Sequence, residues 1–123
     1  MTQLILASSS IYRKLLLERL MVNFEIVSPE MDEVVIEKET AYETANRLAE
    51  EKARKVSNEF QEAIVIGCDQ TAECNDVQIQ KPLSYKAAIS QLTELSGQRV
   101  NFHSAICLYQ KKDRYSRKKS YQF

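Results

Sequence analysis

The sequence has no net charge, no paired cysteine spacing and no apolar run long enough to span a bilayer, and each absence removes a class of function. Three cysteines, Cys68, Cys74 and Cys107, are an odd set without a CxxC pair. That argues against a disulfide framework and a structural zinc site, and fits a reducing compartment. The opening Met1-Thr2-Gln3-Leu4-Ile5-Leu6-Ala7 lacks a basic flank, and its apolar run is short for a signal peptide. No other run reaches bilayer length, so a soluble, cytoplasmic chain with no membrane partner is expected. Internal repeats and interdomain linkers are also missing. With 123 residues, 44% of them hydrophobic and 28% charged, one modest globular domain remains.

The zero balance conceals an asymmetry. Residues 1–110 hold 11 Lys and Arg against 16 Asp and Glu, whereas residues 111–123 hold 6 against 1. An acidic body, 1–110, is therefore treated apart from a basic segment, 111–123, which loses all periodicity and is expected to be a disordered tail. Its interleaved Tyr115, Tyr121 and Phe123 also admit nucleic-acid binding, which ranks last among the readings.

Strands alternate with helices along the body, which predicts an α/β domain. Leu4 to Ala7 reads as a short buried strand, followed by Ser8-Ser9-Ser10 as capping hydroxyls for a helix with Leu15, Leu16 and Leu20 on its apolar side. A strand, a polar turn and a helix start gather unpaired N–H groups, so Ser8, Ser10 and Arg13 form a candidate phosphate cradle or a merely capped helix. Phe24 to Val27 suggests a second strand ended by Pro29. Glu30, Asp32 and Glu33 then lie in a loop that is either simply solvated or able to offer oxygens to a hard cation. From Thr40 to Phe60 a helical period places Ala41, Ala45, Leu48, Ala49, Ala53, Val56 and Phe60 on one face. Lys52 shares that face, either snorkelling past its edge or pointing into a cleft.

The run Ala63-Ile64-Val65-Ile66-Gly67-Cys68-Asp69-Gln70-Thr71 carries an apolar strand into a carboxylate, a pattern that delivers Asp69 to the open end of a sheet or merely ends a core strand in a turn. Thr71–Cys74 and Val77–Gln80 can pair across Asn75-Asp76 as a hairpin. Lys81-Pro82 follows, with Pro82 holding Lys81 extended. Ser84 caps a helix through Ala87, Ala88, Leu92 and Leu95, stopped at Gly97. Arg99 to Leu108 alternates Val100, Phe102, Ser104, Ile106 and Leu108 on one side of a further strand. His103, the sole histidine, falls opposite, better suited to a structural or exposed position than to catalysis.

Taken together, cations at a helix start and in a loop, with acids nearby, could serve phosphoanhydride hydrolysis, which needs charge neutralisation, a bridging metal and a base for water. The run Leu6-Ala7-Ser8-Ser9-Ser10-Ile11-Tyr12-Arg13-Lys14-Leu15-Leu16-Leu17, with Met31-Asp32-Glu33, Leu48-Ala49-Glu50-Glu51-Lys52-Ala53, Ile66-Gly67-Cys68-Asp69-Gln70 and Lys81-Pro82-Leu83, resembles the Maf family of nucleoside triphosphate pyrophosphatases in order and spacing. The resemblance implies a Maf/ITPase-like mixed sheet with flanking helices, and cleavage of a nucleotide between its α- and β-phosphates with a divalent metal, Mg or Mn.

In that reading Asp69 is the catalytic base and a metal ligand, Glu33 a second metal ligand or its support, and Ser8, Ser10, Arg13, Lys52 and Lys81 bind phosphates. Tyr12 and Gln70 resemble the subgroup acting on 7-methyl-GTP, where an aromatic face would meet the cationic base and an amide would read its edge. Gln80 departs from the family's glycine, and Phe102-His103-Ser104-Ala105 from its aromatic-Thr-Gly pattern. The resemblance ends near Leu108, whereas family members continue, so a truncated copy lacking much of the second lobe is expected. The second function considered is accordingly an inactive fragment that at most binds nucleotide or a partner chain. A homodimer stays open.

Overall fold

β1 (Leu4–Ala7) supplies the first parallel pairing of the sheet in a computed structural model that describes residues 2–123. It lies between β2 (Glu25–Val27) and β3 (Ile64–Cys74), parallel to both. Past the end of β1, β3 continues against β5 (Asn101–Gln110), antiparallel, and β5 pairs with β6 (Tyr115–Gln122). The order is β2-β1-β3-β5-β6, with the short β4 (Val77–Gln78) pairing β3 off this path. This mixed α/β sheet matches the expected fold class. Residues 111–123, expected as a disordered tail, instead turn at 111–114 and return as β6. Eight residues of alternating backbone pairing with β5 satisfy the strand despite its dense charge.

Among the described residues three helices connect the strands, and only the second packs closely on the sheet. α1 (Ile11–Glu18) joins β1 to β2, and α2 (Ala41–Ser57) joins β2 to β3. Those two crossovers run in opposite directions along the sheet, so the right-handed rule puts α1 and α2 on opposite faces. α2 begins at a capping box in which Thr40 accepts from the Glu43 N–H and Glu43 from the Thr40 N–H. Its stripe of Ala41, Ala45, Leu48, Ala49, Ala53 and Val56 is buried as the period predicts. These small residues bring the helix axis close to β3. A Cβ added at Gly67 would overlap the Ala49 carbonyl oxygen and lie 2.9 Å from the Ala53 Cβ. Ile5, Ala7, Val65, Ala105 and Cys107 complete that core from the sheet.

The same close approach decides which side of β5 is inside. His103, Ala105 and Cys107 face α2 and are buried, whereas Phe102 and Ile106 on the opposite side are exposed. The more apolar side of the strand is therefore not the one that packs on α2. Space under the alanine stripe admits Ala105 and Cys107, whereas His103 lies farther along, beside Tyr42 at the start of α2. His103 is buried edge-on to Tyr42 with ring centroids 6.1 Å apart, and its Nε2 is 3.5 Å from Glu73 Oε1. On the far face α1 buries none of its residues, so Leu15, Leu16 and the following Leu20 are exposed rather than in a core. α3 (Tyr85–Leu95), capped by Ser84 as expected, also buries none. The β3–β4 hairpin forms across Asn75 and Asp76, both at positive φ as a tight hairpin turn requires, although β4 stops at Gln78. No helix among the described residues is long and apolar enough to cross a membrane.

Candidate active site

Asp69 stands where the sheet changes character. β1 ends at Ala7, opposite Gly67, while β3 runs on beside β5. The sheet thus has a step, here called the notch, beyond the C-terminal end of β1, and Asp69 lies on β3 two positions past the last parallel pair. Such crevices beyond strand ends are where α/β sheets bind ligands. Alternation along β3 turns Asp69 toward α2, whose close seating through Gly67 lets Lys52 reach across.

The Lys52 ammonium is the hub. It donates to Asp69 Oδ1 at 2.9 Å, lies 2.9 Å from Glu33 Oε1 and 3.4 Å from the Cys68 carbonyl oxygen. Lys52 is buried against these two carboxylates, so its place on the apolar stripe is explained by the ion pairs rather than by snorkelling. The two carboxylates respond differently to the same cation. Burial pushes the Asp69 carboxyl above its ordinary value of 3.8, outweighing the opposing pull of the Lys52 hydrogen bond and charge. Glu33 keeps about half of its side chain in solvent, and there Lys52 wins and holds the carboxyl below its ordinary value of 4.5. Asp69 Oδ2 is buried without a hydrogen-bond partner. A buried acceptor with no donor is costly to maintain, and it is typical of a group awaiting a proton, water or cation.

The acidic loop reaches Lys52 because two α2 side chains strap it down. Arg47 donates to the Val34 carbonyl oxygen at 2.8 Å and to both Glu39 carboxylate oxygens, and Lys55 donates to the Glu30 carbonyl oxygen. These straps were not legible as site residues in the sequence; their only signal was helix-facing charge opposite an acidic loop. On the other side of the notch the Ser10 hydroxyl accepts from the Arg13 N–H at 3.4 Å as the N-cap of α1, and the Ser8 hydroxyl accepts from the Ser10 N–H at 3.0 Å. The serines thus shape the turn. Among the described residues Arg13 forms no ion pair, yet its charge bears on both Glu33 and Asp69, and Lys81 bears on Glu33.

Glu33, Lys52 and Asp69 are therefore in direct contact, with Arg13 and Lys81 in electrostatic range. Gln70 is not with them. It points to the opposite face of β3, exposed, and donates from Nε2 to Ser104 Oγ at 3.1 Å. Tyr12 is 76% exposed on α1, the helix on that same far face. Among the described residues no three His, Cys, Asp or Glu side chains converge as a ready metal cage.

A family model described as "Maf-like protein" matches residues 3–123. A protein named 7-methyl-GTP pyrophosphatase from Methylobacillus flagellatus is 50% identical over 109 residues, covering 89% of this chain and 57% of that protein. Another of the same name from Burkholderia lata is 48% identical over 110 residues, covering 87% of this chain and 52% of that one. The chain spans about half the length of these curated relatives. Among solved structures, the Staphylococcus aureus Ham1 protein superposes with a TM-score of 0.67 at 17% identity, covering 98% of this chain and 69% of that one. That likeness establishes the fold.

Proposed function

The chain belongs to the Maf family, and from that premise we propose that its notch hydrolyses the α–β phosphoanhydride of a nucleoside triphosphate, with 7-methyl-GTP as the substrate. The observation that carries this reading is Asp69: a buried carboxylate raised above its ordinary value, with Oδ2 unpartnered, just past the point where β1 ends beside β3. A raised carboxylate is a stronger base than one in water. In the proposed reaction water adds to phosphorus while its proton passes to Asp69. The α–β bridging bond breaks, and its electron pair leaves on pyrophosphate, with the nucleoside monophosphate as the other product.

Arg13 and Lys81 bind the phosphates, Lys52 adds its charge from behind Asp69 and Glu33, and the turn of Ser8 and Ser10 directs the start of α1 at them. A divalent cation, Mg or Mn, fits the residues present: unpartnered Asp69 Oδ2 and half-exposed Glu33 offer two carboxylates, and Mg²⁺ takes one or two plus substrate oxygens. When bound it would neutralise charge on the phosphates. Lys52 meanwhile holds the two carboxylates together. On the far face Tyr12 offers a ring to the cationic base and Gln70 an amide to its edge. Support for 7-methyl-GTP comes from the names carried by relatives near 50% identity.

Pyrophosphate release from 7-methyl-GTP, GTP, dTTP and UTP, with Mg²⁺ or Mn²⁺, tests the proposal. Preference for 7-methyl-GTP, lost in Asp69→Ala, is expected; preference for dTTP, or turnover indifferent to Asp69→Ala, overturns it. A second reading, nucleotide binding without turnover, is favoured by one observation. Neither α1 nor α3 buries a residue, so α1, which carries Arg13, and the segment from Lys81 into α3 are loosely held. It predicts measurable binding and no pyrophosphate.

A further inference from the structure

We infer that Ser104 is a positioning residue that orders the Gln70 amide for base reading, an inference that rests on the function proposed above. Gln70 and Ser104 are direct partners in the β3–β5 register. Their side chains project from the same face of the sheet, the one opposite Asp69 and α2. The Gln70 amide donates to Ser104 Oγ at 3.1 Å, its one side-chain hydrogen bond among the described residues. An exposed glutamine samples many rotamers, and its amide can reverse end for end. The bond to Ser104 removes that freedom.

One amide N–H is spent on the serine. The carbonyl oxygen and the second N–H remain as an adjacent acceptor and donor on the outward edge. That order complements a base edge carrying an oxo group beside a ring N–H, as guanine does at O6 and N1. Adenine or cytosine seated in that same place, with an amino group beside a bare ring nitrogen, presents the reverse order to the fixed amide. An amide released from Ser104 turns over and accepts either order. Ser104 thus acts on discrimination through Gln70, and the reacting phosphates on the Asp69 side are untouched.

The test compares kcat and KM for 7-methyl-GTP and ATP in wild type, Ser104→Ala, Ser104→Thr and Gln70→Ala, and in the Gln70→Ala/Ser104→Ala double variant. Ser104→Ala is expected to lower the preference for 7-methyl-GTP over ATP roughly five- to tenfold, the span of one ordinary hydrogen bond. The change falls on KM, with kcat for 7-methyl-GTP held within about twofold, and Ser104→Thr restores the preference because the hydroxyl is kept. In the Gln70→Ala background Ser104→Ala adds nothing. Wild type with no preference for 7-methyl-GTP overturns the functional reading and this inference with it. Wild-type preference that survives Ser104→Ala, or a further loss on adding Ser104→Ala to Gln70→Ala, overturns this inference alone.

Discussion

Replacing Lys52 by Met keeps an unbranched stem of similar reach on α2 and deletes the ammonium that Asp69 and Glu33 share. The half-exposed Glu33 returns to water, at a cost of about 1 kcal/mol or less. Asp69, only 7% exposed, has no such escape. It either stays charged without a partner or takes up a proton, and the proton sets the ceiling on the loss. Neutralising a carboxyl of ordinary value 3.8 at pH 7 costs roughly 4 kcal/mol, at about 1.36 kcal/mol per pH unit.

The variant should therefore lose about 3–4 kcal/mol at pH 7, in line with breaking a buried pair and a large part of a typical domain's stability. The sign of the pH dependence follows from a folded value raised above the unfolded one. The stability is intact below the unfolded carboxyl value and is lost as pH rises toward the folded value, so the deficit shrinks to about 1 kcal/mol at pH 4.5. Urea unfolding at the two pH values measures both, and Lys52→Met/Asp69→Asn should recover most of the loss at pH 7. An equal deficit at both pH values, or no recovery in the double variant, would refute the view that an uncompensated Asp69 charge is the cause.

Because the Glu33 charge also helps to raise Asp69, Glu33→Gln should move the acid limb of the kcat/KM profile to lower pH; an unmoved limb would separate the two carboxylates functionally. Gly67→Ala should destabilise by about 1–3 kcal/mol through overpacking against the Ala49 carbonyl and Ala53, read by thermal unfolding. Turnover should fall further than stability, since α2 must retreat and carry Lys52 from Asp69. Arg47→Ala should speed amide hydrogen exchange across residues 34–40 and raise KM, because the strap that holds the Glu33 loop is cut. Unchanged protection there would place the loop's order elsewhere.

Local signals carried most of the fold. The Thr40-x-x-Glu43 box, the Ala-rich stripe of α2, the Asn75-Asp76 turn and the Ser84 cap each act within a few residues, and each forms as its pattern requires. Errors arose where a distant partner decides. The inward side of β5 depends on how near α2 comes, which Gly67 and three alanines on another element determine. The segment 111–123 looked unstructured because strand β6 draws its stability from pairing with β5, and its side chains carry no period of their own. For the site, Asp69, Lys52 and Glu33 were visible as types but not as a contact triad spread over 36 positions of sequence from Glu33 to Asp69. The Arg47 strap and the Ser104 anchor were invisible, since both act through residues that face each other only once the sheet is assembled.

Among the described residues β6 is the last strand of its sheet, and one row of its backbone donors and acceptors has no neighbour there. Such a margin invites another chain to add a strand, and charged side chains are the usual deterrent. Here Arg117, Lys118 and Lys119 sit at its centre, Lys118 already bound to Glu50 and Lys119 lying over the Tyr121 ring. Two molecules meeting margin to margin would bring like charges together at strand spacing, well inside a screening length of about 8 Å at physiological salt. The cationic stretch that looked like a loose end in the sequence thus places like charges where edge-to-edge pairing would occur. It should hold the chains apart in dilute buffer and progressively fail to do so as salt is raised.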